Sequence, residues 1–215
     1  MGSHELFYLH PKYFTPDPSI LSVLGLNSET PFFILRFVAV KAYHDLGEAG
    51  LTLEQKLSII AKVKPYGKVF ITSEKQIEPE LEQYQLKIST EKIHHLIYYS
   101  TMFIGDSQTM TSEAAILGTP ALKCNSFAHR LSLPNMLEDK YQLCFAYNNS
   151  EFDLMLEKIQ NLLSLDNVKS EWTSRRELFL NDSIDPTAFL VWFIENYPQS
   201  AKIMKENPNY QYNFK

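Results

Sequence analysis

Apolar positions along the chain follow two patterns. Short unbroken runs occur at 32–40 (FFILRFVAV), 68–72 (KVFIT), 101–105 (TMFIG), 120–124 (PALKC) and 141–147 (YQLCFAY). Between them lie stretches with apolar residues every three or four positions, at 53–63, 90–100, 108–117, 150 to about 165, 168–181 and 186 to about 197. Unbroken runs suit strands buried on both faces, and the 3.6-residue period suits helices that cover them. Their alternation predicts an α/β fold, a doubly wound, Rossmann-like parallel sheet. Leu86-Lys87-Ile88 reads as a short edge strand, and the acidic stretch 74–84 as a solvated surface segment. Four prolines at 11, 16, 18 and 31 exclude long helices from residues 5–31, leaving one or two turns at 19–24. Ser89 and Ser150 are the expected caps of the helices that follow them. The tail from Asn207, NPNYQYNFK, has no periodicity and reads as loosely ordered or as an interaction strand.

The stretch from Met102 to Leu122, MFIGDSQTMTSEAAILGTPAL, organises the rest. An apolar run ends at Gly105-Asp106-Ser107, residues that favour turns and helix N-caps. Met110, Ala114 and Leu117 then mark a helix face, Gly118 can close that helix in the left-handed conformation, and Pro120 prevents its continuation. This is one βαβ unit, and the turn after its first strand lies at the carboxyl edge of the sheet, where open α/β folds bind ligands. Unpaired N–H groups from Ser107 through Gln108, Thr109, Met110 and Thr111 suit a phosphate, and the hydroxyls of Ser107, Thr109 and Thr111 add donors. Glu113, at i+4 from Thr109, leans back toward the same turn and can accept hydrogen bonds from a ribose diol. The structural alternative, in which Glu113 reciprocates an N-cap, needs Ser or Thr at position 110, where Met stands.

Two further strand ends face the same edge. Arg36 interrupts an apolar run, which is costly unless its charge is paired or meets a ligand. It is a candidate phosphate contact or a solvated strand end. Ser73-Glu74 closes the 68–72 run. The loop 41–47 (KAYHDLG) supplies His44, the single catalytic candidate; its neighbour Asp45 invites a dyad, although adjacent residues usually point apart. The catalytic group therefore stays unassigned.

Composition narrows the function classes. At 215 residues the chain can bury one good core, with or without an appendage, and 45% apolar content is ordinary for a globular protein. A net charge of -5 argues against a nucleic-acid groove or an anionic membrane surface. Cys124 and Cys144, the two cysteines, read as core thiols. His94 and His95 are adjacent rather than four apart, so no helical metal pair is expected, and no metal is assigned. No apolar run reaches membrane-spanning length and no signal-peptide pattern is present, so a cytoplasmic location is expected.

The signature Gly105-Asp106-Ser107, Glu113-Ala114 and Leu117-Gly118-Thr119-Pro120 resembles the nucleotide-binding motif of the second domain of GT-B proteins, among them non-hydrolysing UDP-N-acetylglucosamine 2-epimerases. More closely, the chain is similar to domain-of-unknown-function family 354, a GT-B-like family, through LHPKYFTPDPS, FILRFVAVKAYHDLG, GKVFITSE, KIHHLIYYSTMFIGDSQTMTSEAAILGTPALKCNSF and TAFLVWFIENYP. The resemblance implies a GT-B C-terminal-type domain at 32–183, preceded by a linker at 1–31 and followed by a C-terminal helix and tail at 184–215. It implies that Ser107 and its neighbours meet a pyrophosphate, that Glu113 meets ribose and that His94 lies near the base. Asn125 and Ser126, with His129 and Arg130, would then face the donor sugar or the opposing domain. One departure stands out: Gln108-Thr109 replace the epimerase glycine pair, restricting how closely a phosphate approaches the backbone. Residues 1–4 read as a cloning remnant, and the chain as an isolated C-terminal half or the product of a truncated gene.

The implied function is that of the nucleotide-sugar-binding half of a GT-B-type glycosyltransferase or nucleotide-sugar epimerase in cell-surface polysaccharide synthesis. A UDP-sugar or similar nucleotide sugar would be its substrate, with no cofactor; the absence of an Asp-x-Asp pair fits GT-B catalysis, which needs no tightly bound metal. The alternative is a non-catalytic module that holds a nucleotide sugar or lipid phosphate, or a scaffold with a degenerate site. Implied partners are the missing N-terminal domain, or a second copy through the aromatic stripe Phe189, Trp192, Phe193 and Tyr197 of the C-terminal helix.

Overall fold

The computed structural model describes residues 3–37, 50–73, 77–126, 128, 130 and 132–215. Its strands are β1 (Phe32–Phe37), β2 (Lys68–Ser73), β3 (Met102–Gly105), β4 (Ala121–Cys124) and β5 (Cys144–Tyr147), all parallel and ordered β2-β1-β3-β4-β5. The helices are α1 (Leu6–Leu9), α2 (Ser19–Val23), α3 (Leu53–Val63), α4 (Ile93–Tyr99), α5 (Gln108–Leu117), α6 (Ser132–Asp139), α7 (Phe152–Leu163), α8 (Val168–Asp182), α9 (Pro186–Glu195) and α10 (Gln199–Glu206).

The expected doubly wound parallel sheet is present, and its order follows from the handedness of its crossovers. The chain moves one way from β1 to β2 and then reverses to β3, so right-handed connections put α3 on one face and α4, α5 and α6 on the other. Packing agrees: α3 lies beside α7, while α4, α5 and α6 form a row with α5 in the middle. The reversal between β1 and β3 creates the crevice where such sheets bind ligands. β3 and β4 are buried at every position, which is why both read as unbroken runs.

Local chemistry sets the ends of each element. Thr52 and Gln55 form a capping box at α3, Asp185 caps α9 through the Ala188 N–H, and Gly118 closes α5 at φ 82°. An added Cβ at Gly118 would lie 2.7 Å from Arg176 Cδ, so the position needs glycine for space as well as conformation. Trp172 fixes α8 to the sheet by donating its Nε1 proton to the Leu143 carbonyl at 2.9 Å.

Several expectations are corrected. The run 141–147 becomes strand only from Cys144, because Gln142 adopts a positive φ of 51° and turns the chain first. Leu86-Lys87-Ile88 forms no strand; pairing stops at one bridge between Gln85 and Ile71. The acidic segment is not simply solvated: Ile77 and Leu81 are buried, and residues Pro79–Tyr84 wind into a 3-10 helix that leaves Glu80 and Glu82 outside. Ser89 donates to Glu91 rather than capping α4, and Asn148, not Ser150, makes the capping box before α7. The C-terminal tail is ordered. Residues Pro208–Asn213 form a 3-10 helix that stacks Tyr210 on Trp192 at 4.8 Å, and Phe214 meets Phe189 edge-on at 5.6 Å. The aromatic stripe of α9 is therefore covered in part by its own tail, while Leu190, Val191, Ile194 and Tyr197 remain exposed.

Candidate functional site at the carboxyl edge of the sheet

The close approach of β1 and β3 builds the edge. Gly105 sits opposite Arg36, and a Cβ at Gly105 would lie 2.1 Å from the Arg36 carbonyl oxygen. Only glycine permits that contact. One residue on, the Asp106 N–H donates to the same carbonyl at 3.1 Å. The Arg36 side chain turns toward β2, donating from Nη1 to Thr72 Oγ1 at 3.1 Å, with half-buried Ser73 next in line. His44 lies outside the described residues, as does the rest of its loop.

At the start of α5, Ser107 Oγ accepts the Met110 N–H at 3.4 Å and forms the N-cap. Asp106 is buried; its Oδ2 accepts the Leu51 N–H at 3.3 Å, and its carbonyl accepts Asn125 Nδ2 at 3.0 Å. These bonds tie the turn to the loops after β1 and β4. Thr109 is exposed beside the open helix end, while Met110 and Ser126 are half-buried. Thr111 is a correction: it is buried, and its hydroxyl proton is committed to the Ser107 carbonyl at 2.6 Å, so it adds no donor at the turn.

Beneath the helix start, Lys123 projects from β4 as a fully buried side chain and donates to Gln108 Oε1. Burial pulls its ammonium down to about 8, against the opposing influence of Cys144 and Glu138. Gln108 Nε2 and Asn125 Oδ1, both sealed from solvent, have no hydrogen-bond partner among the described residues. Lys123 was not singled out from the sequence, although a lysine inside the apolar run ALKC was a visible signal.

Glu113 lies further along α5, 7% exposed under α1 and α4. Its Oε1 accepts the Tyr8 hydroxyl at 2.8 Å and pairs with His94 Nε2 at 3.2 Å. Burial alone would raise this carboxyl, but the bonds from His94 and Tyr8 outweigh it and hold the group below the ordinary glutamate value. Tyr8 is pushed up, first by burial and then by the Glu113 carboxylate. Oε2 has no hydrogen-bond partner among the described residues and is not sealed from solvent. The structure thus brings Glu113 and His94 together and separates the histidines: His95 stacks on Phe14 at 4.8 Å. Tyr8 carries no sequence signal, since nothing local marks a contact 105 residues away. Among the described residues, no group of three or more His, Cys, Asp or Glu could hold a metal ion, and no helix is long and apolar enough to cross a membrane.

A family model described as "Protein of unknown function (DUF354)" matches residues 2–185. No curated protein matches the chain by sequence. Among solved structures, a protein described as a UDP-N-acetylglucosamine 2-epimerase from Listeria monocytogenes superposes with a TM-score of 0.53 at 12% identity, over 91% of this chain and 52% of that one. The N-terminal domain of trehalose-6-phosphate phosphatase from Candida albicans gives 0.51 at 11% identity, over 91% and 49%. The chain spans about half the length of either structure. At these identities the likeness establishes the fold, a GT-B-like Rossmann domain.

Proposed function

The chain belongs to the DUF354 family, and from that premise we propose that it binds a nucleotide sugar as one half of a GT-B-type glycosyltransferase or nucleotide-sugar epimerase, in cell-surface polysaccharide synthesis. The pyrophosphate rests on the N–H groups that open α5, beside Ser107 and Thr109. The ribose meets Glu113, and the base lies toward His94. Asn125 and Ser126 approach the sugar from the loop after β4, and Arg36 and Ser73 flank the phosphates.

The observation that carries this reading is the division of labour within one buried carboxylate. Tyr8 and His94 hold Oε1 and keep the group ionised, while Oε2 has no hydrogen-bond partner among the described residues and is open to solvent. An ionised carboxylate anchored through one oxygen leaves the other free to accept a diol hydroxyl, a hydrogen bond of the stronger, charged kind. The second reading, a scaffold that kept the fold with a degenerate site, is favoured by a separate observation: Gln108 stands where the resembled epimerases have glycine, and its side chain is engaged with Lys123.

A panel of nucleotide diphosphate sugars, scored by thermal stabilisation, tests the proposal. A true ligand at a hundred times its Kd stabilises the fold by about 2.7 kcal/mol. Stabilisation by UDP-sugars but not by the corresponding free sugars is the expected result; a flat response across the panel would refute it.

A further inference from the structure

The opposite edge of the sheet holds a cavity of about 300 Å3. Pro31, Thr101 and Pro120, which precede β1, β3 and β4, form its floor together with the end of α5. Four residues of β3 at about 3.3 Å each separate this floor from the nucleotide edge by roughly 13 Å. The walls are Tyr98 and Tyr99 from α4, whose rings meet edge-on at 5.1 Å, and Val168, Lys169, Thr173 and Arg176 from α8.

Arg176 gives the cavity its chemistry. Its Nε donates to the Ile116 carbonyl at 2.8 Å, which fixes the guanidinium plane. The two terminal nitrogens make no hydrogen bond among the described residues, and no carboxylate pairs with them. Burial works against this charge and lowers its pKa, with only Tyr98 and Glu177 opposing. A half-buried guanidinium is ordinarily paired, and a planar fork with its outer N–H groups open matches a carboxylate or phosphate. The first turn of α8, with Lys169 at the rim, adds the positive end of a 15-residue helix whose N-cap makes no side-chain hydrogen bond. Glu29, the one acid on the rim, makes no ion pair with Arg176.

The geometry points to a second ligand site at this amino edge, distinct from the nucleotide edge, that takes a small organic anion: a phosphate or carboxylate on Arg176, carried by a flat apolar body between the tyrosines and Leu117. The cavity is large enough for a compact ligand of this kind and too small for a nucleotide sugar.

Phenyl phosphate serves as the probe, with inorganic phosphate and phenol as its two halves. Titration of the 15N-labelled full chain should move the amide signals of Thr101, Lys169 and Thr173, with phenyl phosphate binding at least tenfold tighter than either half. Arg176→Gln should abolish the preference for the phosphorylated probe. Thr173 is exposed, so Thr173→Trp fills the cavity mouth without touching the core, and it should weaken phenyl phosphate at least tenfold while leaving nucleotide stabilisation unchanged. This second variant decides the matter if Arg176→Gln fails to fold. Signals that move at Ser107 and Gln108 instead, or binding untouched by Thr173→Trp, would overturn the assignment.

Discussion

Glu113→Gln changes one property of the site. The amide oxygen can still accept from Tyr8 and His94, which now bond Oε1 at 2.8 and 3.2 Å, so the packing under α1 survives. At the other position an NH2 donor replaces the unpartnered Oε2, and the charge is gone. If Oε2 accepts a ribose hydroxyl, the loss is that of a hydrogen bond to a charged group, about 1.5–3 kcal/mol. At about 1.4 kcal/mol per decade, this is a roughly tenfold to hundredfold rise in Kd. Calorimetric titration with UDP and with its 2′,3′-dideoxy analogue isolates the contact, because the analogue has already lost the hydroxyls. The expected outcome is a large effect on UDP and little on the analogue. Ser107→Ala should weaken both alike, since it acts at the phosphate end. Equal weakening of the two ligands by Glu113→Gln would make the carboxylate structural and remove the main support for the ribose assignment.

Lys123→Met tests the buried ammonium. Wild-type Lys123 loses its proton near pH 8 when folded and near 10.5 when unfolded, so its contribution to stability rises with pH between those values. The variant's stability relative to wild type, from urea unfolding, should therefore be greater at pH 7 than at pH 10.5 by roughly 3 kcal/mol; a difference independent of pH would contradict the depressed value. Gly118→Ala should cost about 1–3 kcal/mol in the same assay, because its φ of 82° and the nearby Arg176 side chain both oppose a Cβ; a neutral result would show that α5 can end otherwise. If the uncovered side of α9 joins two copies, Ile194→Asp should shift the sedimentation distribution toward monomer, since Ile194 is 64% exposed there. An unchanged distribution would rule out α9 as a surface for self-association.

The sheet could be read in advance because burial on both faces leaves little choice of residue. FFILRF, MFIG and ALKC are nearly pure apolar runs, and the turn after β3 carries its own punctuation in Gly105, Ser107 and Gly118. Glu113 was legible from its i+4 spacing at the turn and His94 through the family resemblance, but their meeting was not. That depends on α4 and α5 lying side by side on one face, a consequence of the reversal after β2. Tyr8 was hidden in a proline-rich stretch with no period, and Thr72 looked like any strand residue. The tail misled for a related reason: Tyr210 and Phe214 follow no repeat of their own, because the surface that orders them belongs to α9.

The bond between Tyr8 and Glu113 also bears on how the chain is born. Leu6 and Leu9 are made well before the elements they pack against, α5 and α9, yet both are completely buried. At a synthesis rate of about 5–20 residues per second, the 105 residues between Tyr8 and Glu113 amount to roughly 5–20 s on the ribosome. Throughout that interval the apolar N-terminal turn has no docking surface and is open to chaperones. A segment made well ahead of its docking surface is thus among the last that can settle into place.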